Sequence, residues 1–168
     1  VKALGQEDAQ AIAGGQTLIP TLKARLAQPT ALVDLSGISE MQGITVSGGT
    51  VTVGGGTRHA AVETSAEVRR AFPALAELAG QIGDPQVRNR GTIGGSVANN
   101  DPAACYPAAV LGTGATVVTS AREIPADDFF DGMFTTALEE GEIVTGVRFP
   151  VPEKAAYAKF EQPASRFA

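Results

Sequence analysis

The amino-acid sequence predicts an α+β fold in two lobes. Two observations carry this. An early segment runs strand, glycine turn, helix, strand, which is a βαβ unit, whereas later segments alternate apolar and polar residues across tight turns, as antiparallel hairpins do. Glycine is spread through both halves, with no clean linker and no repeat of fixed period.

The elements follow in order. A short apolar strand over Ala11–Ala13 is broken by Gly14-Gly15, and Leu18, Leu22 and Leu26 then recur every fourth residue, a helix with those leucines in the core. Pro29 lies just beyond its end, and "TALVDLSGI" reads as the second strand. Ile44 and Val46, then Val51 and Val53, alternate with polar residues around Gly48-Gly49, a hairpin. Gly54–Gly56 lead into helix, Thr64 with Glu67 forms a capping-box pattern for "SAEVRRAF", and Pro73 suits the first turn of "PALAELAGQIG". Then come a small-residue helix, "AACYPAAVLG", and a strand, "ATVVTS". A return strand with an acidic turn, "AREIPADDFF", and a strand closed by two prolines, "EIVTGVRFPVP", follow, and "AYAKFEQPAS" begins another strand.

With 168 residues, 43% hydrophobic and 18% charged, the chain is globular and large enough for one sizeable domain or two lobes sharing a core. A net charge of -5 with no Lys/Arg run argues against nucleic acid. One cysteine, Cys105, permits neither an internal disulfide nor a cysteine-ligated zinc or iron–sulfur site. No stretch approaches the roughly 18 apolar residues of a membrane span, and no secretory signal is visible, so the expected location is the cytoplasm. The start at Val1 and the stop after "SRFA" read as a fragment trimmed at both ends.

Two loops stand out. "AGGQT" ends a strand in glycines and opens a helix, which leaves backbone N–H groups free for an anion. It meets neither the GxGxxG nor the P-loop pattern. "GTIGGSVANND" has the same character, with hydroxyls at Thr92 and Ser96 and amides at Asn99 and Asn100. Small residues let a bulky ligand lie against the backbone, and two such loops suit a long ligand with a polar middle, such as a dinucleotide. Two crowded turns without any ligand would read the same.

Together, "AGGQTLIPTLKARLAQPTALVDLSGI" and "GDPQVRNRGTIGGSVANNDPAA" resemble the FAD-binding (medium) subunits of molybdenum hydroxylases, the carbon monoxide dehydrogenase and xanthine dehydrogenase family. The likeness continues through "FFDGMFTTALEEGEIVTGVRFP". It implies the two-lobed FAD fold of the vanillyl-alcohol oxidase and molybdopterin dehydrogenase type. The FAD-binding domain would fill residues 1–168, with lobes of about 1–54 and 55–168. The family's first strand and its C-terminal domain would be absent. The resemblance also implies the site. Ile12, Ala13, Gly14, Gly15, Gln16, Thr17 and Leu18 would wrap the FAD pyrophosphate through backbone amides. Thr92, Ile93, Gly94, Gly95 and Ser96 would hold the cofactor from the other side, with Asn99 and Asp101 ordering that loop and Val144 beside the isoalloxazine.

Three positions depart from the family pattern. Ile82 stands where xanthine dehydrogenase-like members carry an aromatic, and Cys105 where a carboxylate usually accepts a ribose hydroxyl. Glu161 stands where related chains often carry a basic residue.

The function so implied is electron transfer. The large partner subunit would hold molybdopterin, the small partner subunit two [2Fe–2S] clusters, and this chain FAD, from which electrons leave for an acceptor that the sequence does not specify. No acid/base catalytic residue and no metal ligand is expected in this chain. Two alternatives stand beside this reading: a stand-alone flavin-dependent oxidase or dehydrogenase, and a non-catalytic nucleotide-binding module.

The other polar residues have plain structural readings. His59 reads as a surface or capping residue, or else a proton relay. Arg88 and Arg90 read either as FAD-phosphate or partner contacts or as ion pairs with Asp84 or Asp101. Cys105 also reads as a small buried hydrophobe, and Asp127-Asp128 as a solvated turn.

Overall fold

A computed structural model describes residues 2–161. The first lobe is β1 (Ala9–Ile12), α1 (Leu18–Lys23) and β2 (Ala31–Asp34), preceded by a 3-10 turn at Lys2–Gly5. Strands β1 and β2 are parallel, in register from Ala9 opposite Ala31 to Ile12 opposite Asp34. This is the expected βαβ unit, although β1 starts earlier and Ala13 falls in the turn.

The expected leucine core on α1 does not form. The helix has six residues and buries none of them. Arg25 turns left-handed at φ 57, which leaves Leu26 past the helix end and 81% exposed. A two-stranded sheet offers too little surface to bury a full helical stripe. The lobe is anchored instead by Leu4, Leu35, Met41 and Ile143, with Val33 and Ile38 packed against them.

The second lobe continues with β3 (Ile44–Ser47), β4 (Thr50–Gly54), α2 (His59–Thr64), α3 (Ala66–Ala71), α4 (Pro73–Gly80), α5 (Pro85–Arg88) and α6 (Ile93–Asn99). It ends with α7 (Tyr106–Gly112), β5 (Thr116–Thr119), β6 (Glu123–Pro125), α8 (Ala126–Phe129) and β7 (Val144–Pro150). Its sheet is antiparallel throughout, in the order β3-β4-β7-β5-β6. The β3–β4 hairpin therefore belongs to this sheet, and the two sheets divide between Asp34 and Ile44 rather than near residue 54. Ser47 faces Thr50 across Gly48 (φ 56) and Gly49 (φ 75), the two positive φ values that a right-twisted two-residue hairpin needs.

One face of the sheet, carrying Val51, Val53, Val117, Val147 and Phe149, packs against Leu75 and Leu78 of α4, Ile93 and Val97 of α6, and Tyr106 and Val110 of α7. The cap at residue 64 is displaced by one position. Thr64 closes α2 and its hydroxyl donates back to the Ala60 carbonyl, while Ser65 caps α3 by accepting from the Val68 amide. Pro73 takes the first position of α4, as expected. The acidic turn after β6 is one helical turn, with Asp127 and Asp128 exposed and Phe129 buried. Residues 151–161 form no strand, and the rest of the last expected strand lies outside the described residues.

Candidate cofactor-binding site

The two glycine-rich loops meet. A Cβ added to Gly14 would lie 2.3 Å from the Arg90 carbonyl oxygen and 2.7 Å from the Gly91 Cα, so the backbones touch there. The crowding that removes side chains from "AGGQT" and "NRGTIGG" is in part the contact of one loop with the other.

The first loop then runs free. Among the described residues, the backbone amides of Ala13, Gly14, Gly15, Gln16, Thr17 and Leu18 donate no hydrogen bond within the chain; the next amide, Ile19, donates to the Gly15 carbonyl at 3.0 Å. All six residues are half-buried or exposed. Successive free N–H groups make an anion-binding concavity. It lies past Ile12 and Asp34, at the carboxyl ends of two parallel strands, where open α/β sheets bind ligands. Asp34 is locked there by the Ser36 amide at 2.8 Å, which, with Arg90 nearby, holds its carboxyl below the usual range.

The second loop is tied down tightly. The His59 amide donates to the Gly91 carbonyl, the Ile93 amide to Thr57 and the Gly94 amide to Gly55. A Cβ on Gly94 would strike the Gly55 oxygen at 2.6 Å. The Thr92 hydroxyl caps α6 by accepting from the Gly95 amide at 3.2 Å. Thr92, Ile93 and Gly94 are thus buried in the fold, whereas Gly95 is exposed and Ser96 and Asn99 are half-buried. Asp101 orders its own turn, its carboxylate accepting from the Ala103 amide at 2.9 Å.

Asn100, whose amide reads from the sequence as a polar group of the second loop, instead shapes that loop. It turns left-handed at φ 43 after α6, and its side-chain amide donates to the Gly132 and Thr135 carbonyls at 2.6 and 2.8 Å. Asn is the usual non-glycine residue for that conformation, so the "NND" run was the available signal.

Other expected residues sit inward. Cys105 is 5% exposed in the core, as a small hydrophobe would be, and its thiol lies by the half-buried Tyr157, whose phenol is raised by burial and by that thiol. Val144 is 4% exposed, with its carbonyl packed on Gly55. Ile82 packs partly against the core, and its carbonyl accepts from Arg88. Arg88 pairs with Glu63 at 2.8 Å rather than with Asp84 or Asp101, because Asp84 is occupied as the cap of α5. His59 is no surface residue. It is 4% exposed, and burial, with the Arg88 charge, brings its pKa down to about 4.

Two surface depressions of about 390 and 380 Å³ lie elsewhere, and neither is lined by residues of the two loops. A dinucleotide is better matched by the amide-lined cradle, because its diphosphate needs donors rather than an apolar cavity. Among the described residues no helix is long and apolar enough to cross a membrane.

A parallel βαβ unit joined to an antiparallel sheet at an amide-lined cradle defines an α+β nucleotide-binding domain. The family described as the FAD binding domain in molybdopterin dehydrogenase matches residues 1–152. The carbon monoxide dehydrogenase medium chain of Hydrogenophaga pseudoflava is 40% identical, covering 100% of this chain and 62% of its own length. The glyceraldehyde dehydrogenase medium chain of Sulfolobus acidocaldarius is 36% identical, covering 98% and 60% respectively. The solved carbon monoxide dehydrogenase from Hydrogenophaga pseudoflava that lacks the Mo-pyranopterin moiety of its cofactor superposes with a TM-score of 0.93 at 40% identity, over 99% of this chain and 61% of the other. The chain belongs to the family of FAD-binding domains of molybdopterin dehydrogenases. It spans about three-fifths of the length of these relatives.

Proposed function

We propose that this chain is the FAD-binding part of an electron-transfer subunit in a molybdenum-containing hydroxylase or dehydrogenase. The observation that carries the reading is the run of six unpartnered amides from Ala13 to Leu18, set against the second loop. When bound, FAD supplies a redox centre able to take electrons one at a time and release them in pairs.

The chain's own residues bind and orient. The amides of Ala13–Leu18, starting at the end of β1 where Ile12 stands, face the pyrophosphate. Gly95, Ser96 and Asn99 offer the accessible groups of the second loop, while Thr92, Ile93, Gly94 and Asp101 fix its shape. Val144 would lie beside the isoalloxazine, its carbonyl packed on Gly55. Cys105, being buried, contributes packing first, and a ribose contact only if the Tyr157 segment yields. The FAD-binding domain extends over residues 1–168.

One cysteine cannot ligate a [2Fe–2S] cluster. In this reading the clusters sit on a small iron–sulfur partner and the molybdopterin on a large one, in the cytoplasm. No residue here acts as acid or base.

The test is a visible spectrum of the chain titrated with FAD, alongside the complete protein. Flavin bands and a raised melting temperature in both support the reading, because a ligand that binds only the folded state stabilises it by mass action. Absence of bound flavin from both at excess FAD refutes it.

A further inference from the structure

Behind the contact between the loops lies a buried imidazole with no assigned task. His59 sits 5.4 Å from Tyr106, ring to ring, and Tyr106 is wholly buried. Among the described residues, the Nδ1 atom of His59 and the Tyr106 hydroxyl both lack a hydrogen-bond partner. Unpaired buried polar atoms cost free energy that apolar side chains would not, so their presence asks for a reason.

The opposite edge of the imidazole supplies one. A Cβ on Gly91 would lie 2.6 Å from His59 Nε2, and a Cβ on Gly14 would lie 2.7 Å from the Gly91 Cα. The His59 amide also donates to the Gly91 carbonyl at 3.0 Å. Tyr106, His59, Gly91 and Gly14 thus form one close-packed line, and the free amides of Ala13–Leu18 begin at its far end. The Nε2–Cδ2 edge of the imidazole is the part that lies against Gly91.

We propose that His59 is a positioning residue for the cofactor: its ring, backed by Tyr106, sets how far Gly91, and through it the Gly14 amide loop, stands toward the dinucleotide. This rests on the FAD reading above. The role proposed for His59 is not a contact with the cofactor. It is to fix the backbone that makes that contact.

The test compares His59→Ala, Gly91→Ala and the double variant in the complete protein within its complex, measuring FAD dissociation constants and melting temperatures separately. Gly91→Ala drives a methyl into the imidazole, and FAD affinity is expected to fall about ten-fold or more. His59→Ala alone loses affinity too, because Gly91 is no longer held. Removing the imidazole also makes room for the methyl, so the double variant is expected to bind FAD at least about five-fold more tightly than Gly91→Ala alone. A merely structural role would show this coupling in the melting temperatures and leave the FAD dissociation constant of His59→Ala unchanged. Additive losses, or an unchanged affinity in His59→Ala, overturn the proposal. Wild-type protein that takes up no flavin overturns the cofactor reading instead. Should Gly91→Ala fail to fold, His59→Ala is titrated with free imidazole. Recovery of FAD affinity supports the positioning role, and no recovery refutes it.

Discussion

Gly14 and Gly91 stand so close that a Cβ on the first would lie 2.7 Å from the Cα of the second. Each carries its loop, so the two halves of the cradle meet at this point, backbone against backbone. Gly14→Ala must push the loops apart, since the new methyl meets backbone that cannot rotate away. We expect a stability loss of about 1–3 kcal/mol and a loss of FAD affinity. Gly95→Ala is a control for stability alone, since Gly95 faces the site: its Cβ would meet only the Thr92 hydroxyl, at 3.1 Å. Within α6 it gains helix propensity of about 0.5–1 kcal/mol and should leave the melting temperature unchanged or raised. Thermal melts of both variants, with flavin titrations, check the pair.

Asn100 joins the end of α6 to the loop at 132–135 through two side-chain hydrogen bonds, and its carbonyl accepts from the Phe134 amide. Asn100→Ala removes both side-chain bonds and forces an alanine into φ 43. A loss of about 2–4 kcal/mol is expected. Asn100→Gly keeps the conformation and loses only the bonds, so it should be the milder change. Urea denaturation of the two variants decides. If alanine proves no worse than glycine, the left-handed backbone is not what Asn100 supplies.

The sequence made some of this legible and hid the rest for physical reasons. The Gly48-Gly49 hairpin, Pro73 at a helix start and the strand–glycine–helix order are local, and local chemistry decides them. The pairing of Arg88 with Glu63 spans 25 residues, across α3 and α4, so Asp84 and Asp101, nearer in the sequence, looked as good. Burial of His59 depends on Tyr106 and Gly91, which only the folded chain brings to it. Leu26 followed the helical period faithfully, yet the helix stopped before it. The glycine motifs were legible as a site, but which glycines face a ligand and which face other backbone was not, because a glycine reads the same in both settings.

Glu142 makes a pH prediction. Its side chain is 4% exposed, and it accepts from Arg122, the Glu139 amide and the Thr119 hydroxyl. The Arg122 hydrogen bond, helped by the others against burial, brings its pKa down to about 2. The folded state therefore holds the ionised form more strongly than the unfolded chain does. That stability is fully present above the ordinary Glu pKa near 4.5 and is lost as pH falls toward about 2. Glu142→Gln should unfold more easily at pH 7 and show a flatter acid limb. An acid limb as steep as that of the native chain would place the titrating carboxylate elsewhere.

His59 and Tyr106 give the last prediction, one that separates their packing from their polarity. Burial and the Arg88 charge bring the His59 pKa down to about 4 from an ordinary 6.5. Between these values the unfolded chain takes up a proton that the folded chain refuses, so stability rises with pH across this window and is complete above it. His59→Asn, which does not titrate there, should remove this part of the pH dependence. Among the described residues the Tyr106 hydroxyl is buried without a partner, and an unsatisfied hydroxyl costs about 1–3 kcal/mol. Tyr106→Phe keeps the ring against the imidazole and removes that penalty, so its melting temperature should equal or exceed the native value from pH 5 to 8. A clear loss of stability in Tyr106→Phe would mean that the hydroxyl makes a stabilising hydrogen bond.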